Sequence, residues 1–293
     1  MLDSNVLKNW PFEDVRQTYT EKDTMSYALS VGFGADPTDL RQLPFVYERD
    51  LVAAPTMAVV LSYPGMWIAD PRTGIDWLKV LHGEQTVRFH KPLAPAGTVV
   101  GKSRVSSVTD KGKGRGAVFV QERVLRDAQS GEAIATLEQV NFCRADGGYS
   151  EGGGADGRQV SDPPPPAVHP IPDEPAHLVH DTATLLQQAL MYRLCADRHP
   201  IHVDPVAAAA VGFPRPILHG LGTYGVVGKV MLQTCCDMNP ARLKLLRCRF
   251  SSVFYPGETL RTEIWRHGGT VSFRCSSLER NVVVLNNGLA EID

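Results

Sequence analysis

FHKPLAPAGT at 89–98 and FSSVFYPGET at 250–259 decide how this chain is read. Each begins on an aromatic residue at the end of a β-rich run, passes through a Pro/Gly turn and finishes on threonine. Phe89 and Phe250 are 161 residues apart, as are the turn prolines Pro95 and Pro256, and so are Pro55 of PTMAVVL and Pro216 of PILHGLG. A looser pair, Tyr27-x-Leu29 and Tyr192-x-Leu194, is offset by 165, as a short indel before Pro216 would produce. One shared offset across unrelated local patterns predicts an internal duplication. Between the copies, 145–175 is rich in glycine and proline, with Gly152-Gly153-Gly154 and Pro163 to Pro166, and reads as a semi-stiff surface connector. The expected organisation is a half at 1–145, a linker at 146–175 and a second half at 176–293.

Working outward, the two halves carry the same order of elements. Thr20 with Asp23 reads as a helix N-terminus, and Thr184 with Gln187 as a capping box. Apolar helix candidates follow at 55–63 and 218–235. Four β-rich runs come next, at 85–91, 99–108, 117–125 and 133–143 in the first half and at 245–254, 259–266, 270–278 and 282–292 in the second. A long helix followed by an antiparallel meander is an α+β pattern, and a helix wrapped by such a sheet is the hotdog arrangement. Two linked copies predict a double hotdog.

Composition bounds what the chain can do. Its 293 residues are 43% hydrophobic and 21% charged, with a formal net charge of −2, so a general nucleic-acid binder is not expected. No apolar run reaches the ~20 residues of a membrane span, and Met1-Leu2-Asp3-Ser4-Asn5 has neither the basic nor the apolar region of a signal peptide. Six cysteines without CxxC spacing suit reduced core thiols, and the final Glu291-Ile292-Asp293 is not a peroxisomal address, so the expected compartment is the cytoplasm.

The densest chemistry lies in YRLCADRHPIHVDP at 192–205. A helix-forming segment ends at Ala196 and another starts at Pro205, which leaves Asp197 and His202 on an irregular connection where their side chains can converge. A carboxylate facing an imidazole can polarise one water and exchange protons near neutral pH. Gly220, in LHGLGT at the start of the second apolar helix, can offer an unpaired N–H to a carbonyl oxygen that becomes an enolate. Plainer readings stand beside these: Asp197 as a turn cap, Asp204 as an N-cap, His219 as a packed structural histidine. No histidine or carboxylate spacing here matches a zinc site.

YRLCADRHPIHVDPVAAAAVGFPRPILHGLGTYG at 192–225 resembles the signature of the MaoC-like, type 2 enoyl-CoA hydratases. LHGEQ at 81–85, KPL at 91–93, DKGKG at 110–114 and RFSSVFYPGETLRTEIW at 249–265 extend the likeness to the eukaryotic-type double-hotdog members. The resemblance implies (R)-specific, reversible syn addition of water to a trans-2-enoyl-CoA, with no metal and no cofactor. It implies that Asp197 and His202 are the catalytic pair, that the Gly220 amide binds the carbonyl, and that His82, Gly83, Lys111 and Phe250 contact CoA. The family's asparagine is His199 here, a substrate-side position, and its glycine is Ala196. Counting back 165 from Asp197 gives Gly32, so a single active site per chain is expected, in the second half.

Five basic residues between 102 and 115, and four more between 242 and 249, suit the phosphates of CoA or else solvated strand edges. The implied partner is an acyl-CoA thioester, and a homodimer through exposed sheet edges is expected. A hotdog acyl-CoA thioesterase and a non-catalytic acyl-CoA binder are the alternatives.

Overall fold

The computed structural model describes residues 2–151 and 160–293. In chain order the elements are α1 Ser4–Lys8, β1 Val15–Tyr19, α2 Glu21–Ser30, β2 Val80–Phe89, β3 Gly97–Asp110, β4 Ala117–Asp127, β5 Ala133–Cys143, β6 Leu178–Ala183, α3 Gln188–Cys195, α4 Pro205–Ala210, α5 Gly220–Cys235, β7 Leu243–Phe250, β8 Thr259–His267, β9 Thr270–Ser277 and β10 Val282–Ile292. All eight predicted β-rich runs form strands, because their apolar residues alternate and bury one face; β4 buries Phe119, Gln121, Arg123 and Leu125 in strict succession. No helix among the described residues is long and apolar enough to cross a membrane.

The strands form one antiparallel sheet in the order β1-β3-β4-β5-β2-β7-β10-β9-β8-β6. Read from either edge, the order runs through the same positions of the two halves, so the sheet has an internal two-fold. Its axis falls at the β2–β7 join, where Thr86 pairs with Arg247. Since 247 − 86 = 161, each of these residues faces its own repeat equivalent, as in a two-fold interface between separate subunits. The offset seen in the sequence is thus a symmetry operation of the sheet. The edge strands β1 and β6 were not anticipated: VRQTY and LVHDTA are short and polar, as strands that carry an unpaired side tend to be.

The helices depart from the symmetry. In the second half α5 runs buried from Gly220 to Cys235 beneath the sheet, as a hotdog helix should. In the first half the expected helix over 55–63 is not formed; only a 3-10 turn, Pro55–Val59, is present. Pro64 and Gly65 follow within a few residues, and Ser62 takes a left-handed φ of 50°, so the segment cannot continue as α-helix. The carbonyls of Ala58 and Val59 are met by the buried Arg123, whose Nη2 lies 3.5 Å and 2.8 Å from them. "Two long helices" is therefore corrected to one.

The capping signals divide in the same way. Thr20 and Asp23 make a true capping box at α2. Thr184 does not cap α3; its hydroxyl donates to the Glu258 carbonyl at 2.6 Å and accepts from the Gly257 N–H at 3.1 Å, a tertiary contact that wins over the local one. The described parts of the linker are pinned to the sheet. Asp110 accepts from the N–H groups of Gly148 and Ser150, and the Tyr149 hydroxyl donates to Val108. Gly152-Gly153-Gly154 lies outside the described residues.

Glycines in α5 let the first half approach. A Cβ at Gly228 would stand 2.5 Å from Cγ2 of Thr56, and one at Gly225 2.5 Å from Cγ1 of Val31. Gly228→Val should therefore force the 3-10 turn off the helix and cost about 1–3 kcal/mol, the usual range for overpacking, measured as a lower midpoint in urea.

Candidate active site

The loop between α3 and α4 is built by short-range bonds. The Asp197 carboxylate accepts the His199 N–H through Oδ1 at 2.9 Å, and His199 Nδ1 in turn accepts the Ile201 N–H at 3.3 Å, capping the turn Pro200–His202. Asp204 caps α4 by accepting from Val206, as its position before Pro205 suggests. His199 thus fills a capping role that an asparagine oxygen could also fill, which explains how the chain accommodates the departure from the family pattern.

His202 is buried, and its Nδ1 lies 2.9 Å from the Ile217 carbonyl. A carbonyl only accepts, so Nδ1 carries the hydrogen and Nε2 presents a lone pair. Burial lowers the pKa of this ring below the ordinary imidazole value; the bond to Ile217 and the nearby Asp197 carboxylate oppose that shift without cancelling it. The structure brings Asp197 within electrostatic reach of His202, while leaving Asp197 on the exposed side of the loop.

Gly220 is the first residue of α5, where the backbone N–H has no partner within the helix. A Cβ there would lie 3.2 Å from the Phe250 ring. Phe250 packs edge-on against His82, with ring centroids 4.8 Å apart. His82 donates through Nε2 to the Glu84 carbonyl at 3.1 Å, and burial brings its pKa down to about 4. The register slips between His82 and Glu84, and Gly83 sits in that bulge, where a Cβ would come 3.3 Å from the Val140 carbonyl. Gly220, Phe250, His82 and Gly83 therefore form one contiguous wall across the join between the halves. Lys111 lies farther out, its Nζ 5.3 Å above the Phe142 ring, and Phe142 pairs with Leu81 next to His82.

Two groups near the site were not singled out from the sequence as functional. His219 stacks on His202, with centroids 3.5 Å apart and planes at 20°. Tyr63, from the unwound segment of the first half, has its phenol pKa raised by burial and, more weakly, by Asp197, while Arg123 acts in the opposite sense. Glu174, His177 and His267 form a possible metal-ligating group among the described residues, but on the exposed surface beside the linker. His177 Nδ1 accepts from Arg266 there, so its Nε2 carries the hydrogen that faces Glu174.

A lone pair on His202, a carboxylate at Asp197 and a helix N-terminus at Gly220 can together activate water and stabilise a developing oxyanion. Comparison with known proteins agrees in kind. Residues 17–145 match the MFE-2 hydratase 2 N-terminal domain, and residues 168–287 match the MaoC like domain. Enoyl-CoA hydratase 2, peroxisomal, of Arabidopsis thaliana is 33% identical over 96% of this chain and 93% of its own. Peroxisomal multifunctional enzyme type 2 of Mus musculus is 34% identical over 94% of this chain, which spans 36% of that larger protein. The crystal structure of a MaoC-like dehydratase from Phytophthora capsici superposes with a TM-score of 0.83 at 33% identity, covering 99% of this chain and 98% of its own. With both halves matched in order and a relative at this identity aligned end to end, the chain belongs to the MaoC-like dehydratase family, in its double-hotdog, hydratase 2 branch.

Proposed function

We propose that the chain is an (R)-specific 2-enoyl-CoA hydratase, a hydro-lyase that adds water reversibly to a trans-2-enoyl-CoA to give the (3R)-3-hydroxyacyl-CoA. What supports this is the family match over both halves, together with a His202 that presents its Nε2 lone pair, has Asp197 as an electrostatic neighbour, and lies on the segment leading to Gly220 at the start of α5. Water bound between Asp197 and His202 loses a proton to the pair as its oxygen bonds to C3. The C2=C3 π electrons move toward the thioester oxygen, and the Gly220 N–H donates to the enolate that forms. The pair returns a proton to C2 from the same side, which makes the addition syn. His82, Gly83 and Phe250 flank the thioester and Lys111 the outer CoA; His199 caps the loop that carries the pair.

The acyl chain then passes toward the first half, where the segment Pro55–Val59 does not continue as an α-helix. A cavity of about 450 Å³ opens there, and Leu29, Met57, Leu61, Met191 and Cys195 are among its walls. We therefore assign chemistry to 176–293 and substrate accommodation to 1–145, joined by the linker at 146–175. The cytoplasm remains our proposed compartment, supported by six free thiols of which five are buried, although the Arabidopsis and mouse relatives are named peroxisomal. Edge strands β1 and β6 support a homodimer, which light scattering would read as twice the chain mass.

The test is loss of enoyl-thioester absorbance with crotonyl-CoA and longer analogues, followed by chiral analysis of the product. Release of free CoA without hydration, or an S product, would overturn the assignment. The pH dependence has a defined sign. His202 must be neutral to accept a proton, and burial moves its pKa below the ordinary value. Activity should therefore persist as pH falls through about 6.5, the free imidazole value, and the acid limb of kcat/KM should lie below it.

A further inference from the structure

Three parts of the proposed site meet at His219, which is not itself one of the proposed catalytic groups. Its ring stacks on His202 at 3.5 Å. Its Nε2 lies 2.8 Å from the backbone carbonyl of Asp197. Its own backbone is the N-cap of α5 and leads directly into Gly220. Tyr192 packs on the ring as well, with centroids 4.9 Å apart. One buried residue therefore touches the peptide of the carboxylate and the ring of the base, and is itself the residue before the amide donor.

The bonding fixes its protonation. The Asp197 carbonyl can only accept, so Nε2 carries the hydrogen; Nδ1 is then a lone pair, buried and without a partner among the described residues. Protonating Nδ1 would bury a cation against the His202 ring with the Arg193 guanidinium nearby, and the bond to the Asp197 backbone carbonyl opposes the resulting shift without cancelling it. Burial and these neighbours bring the His219 pKa down to about 3. A neutral ring in this place also keeps water off one face of His202, and water there would solvate the imidazolium form.

We infer that His219 is a positioning residue: it holds the Asp197 peptide and the His202 ring in register with the Gly220 amide and keeps the His202 lone pair available. This rests on the proposed roles of Asp197, His202 and Gly220.

Three variants separate its two contacts. His219→Phe keeps a stacked ring without the donor, His219→Gln keeps a donor without the ring, and His219→Ala keeps neither. In crotonyl-CoA hydration the alanine variant should lose about 10–100-fold in kcat with KM little changed, the scale expected when reacting groups are misplaced. Its acid limb should shift to higher pH, the phenylalanine variant should hold that limb near wild type, and the glutamine variant should not. NMR titration of the His202 ring gives the same comparison without turnover: its pKa should rise in the alanine and glutamine variants and stay low in the phenylalanine variant. Folded Phe and Gln variants with wild-type kcat and an unmoved His202 titration would overturn the inference, even if the alanine variant failed to fold. An inactive wild-type protein whose His202 titrates as expected in the variants would refute the hydratase reading and leave His219 as the support of His202.

Discussion

Asp197→Asn and His202→Gln should each lower kcat for enoyl-CoA hydration by about 1000-fold, within the range that a positioned acid–base group contributes. The asparagine is close to isosteric and can still accept the His199 N–H that Asp197 Oδ1 accepts at 2.9 Å, so the loop should keep its shape while losing the charge. The glutamine can still donate to the Ile217 carbonyl, in place of His202 Nδ1, but it presents no basic lone pair. Because both groups act on one water, the double variant should be little worse than either single one, as groups that work as a unit are strongly non-additive. KM should move far less than kcat. A rate near wild type in either single variant would remove Asp197 and His202 from the mechanism.

The contrast between the halves follows from where local signals meet tertiary ones. The repeat was legible because paired strands need the same alternation and the same turns in both copies, and the offset of 161 reappears as the Thr86–Arg247 pair. The placement of Asp197 and His202 between α3 and α4, and of Gly220 at a helix start, was legible because proline and glycine mark those backbone positions in the sequence. The unwound helix was misread from the apolar run PTMAVV, although Pro64 and Gly65 close behind it already limited its length. Thr184 was misread because its partner is Glu258, 74 residues away. His219 could not be distinguished from a packed core histidine, since its stack on His202 exists only once the Ile217 carbonyl holds one ring and the Asp197 carbonyl the other. Tyr63 and Arg123 come from the half that lost its helix, and nothing local relates them to Asp197.

Gly220→Ala should lower kcat by about 100-fold or more, the cost of losing one oxyanion donor, while lowering stability by no more than about 1–3 kcal/mol. The two effects separate for physical reasons. Gly220 opens α5, where alanine is a better helix former and shortens the list of unfolded conformations, so folding has nothing to lose from the backbone. The added Cβ, however, would meet Cδ1 and Cε1 of Phe250, both at 3.2 Å. Phe250 is held against His82, itself fixed to the Glu84 carbonyl, so the ring cannot retreat without moving the rest of that wall. Either the wall shifts or the helix start does, and in both cases the amide no longer points at the place where the enolate oxygen forms. Gly222→Ala is the control. Its Cβ would meet Leu218 Cδ1 at 3.3 Å and Tyr192 Cγ at 3.4 Å, slightly looser contacts than those at Gly220 and on the core side of the helix, and the residue lies past the first helical position. Equal losses in the two variants would mean that packing in α5, and not the Gly220 amide, governs the rate.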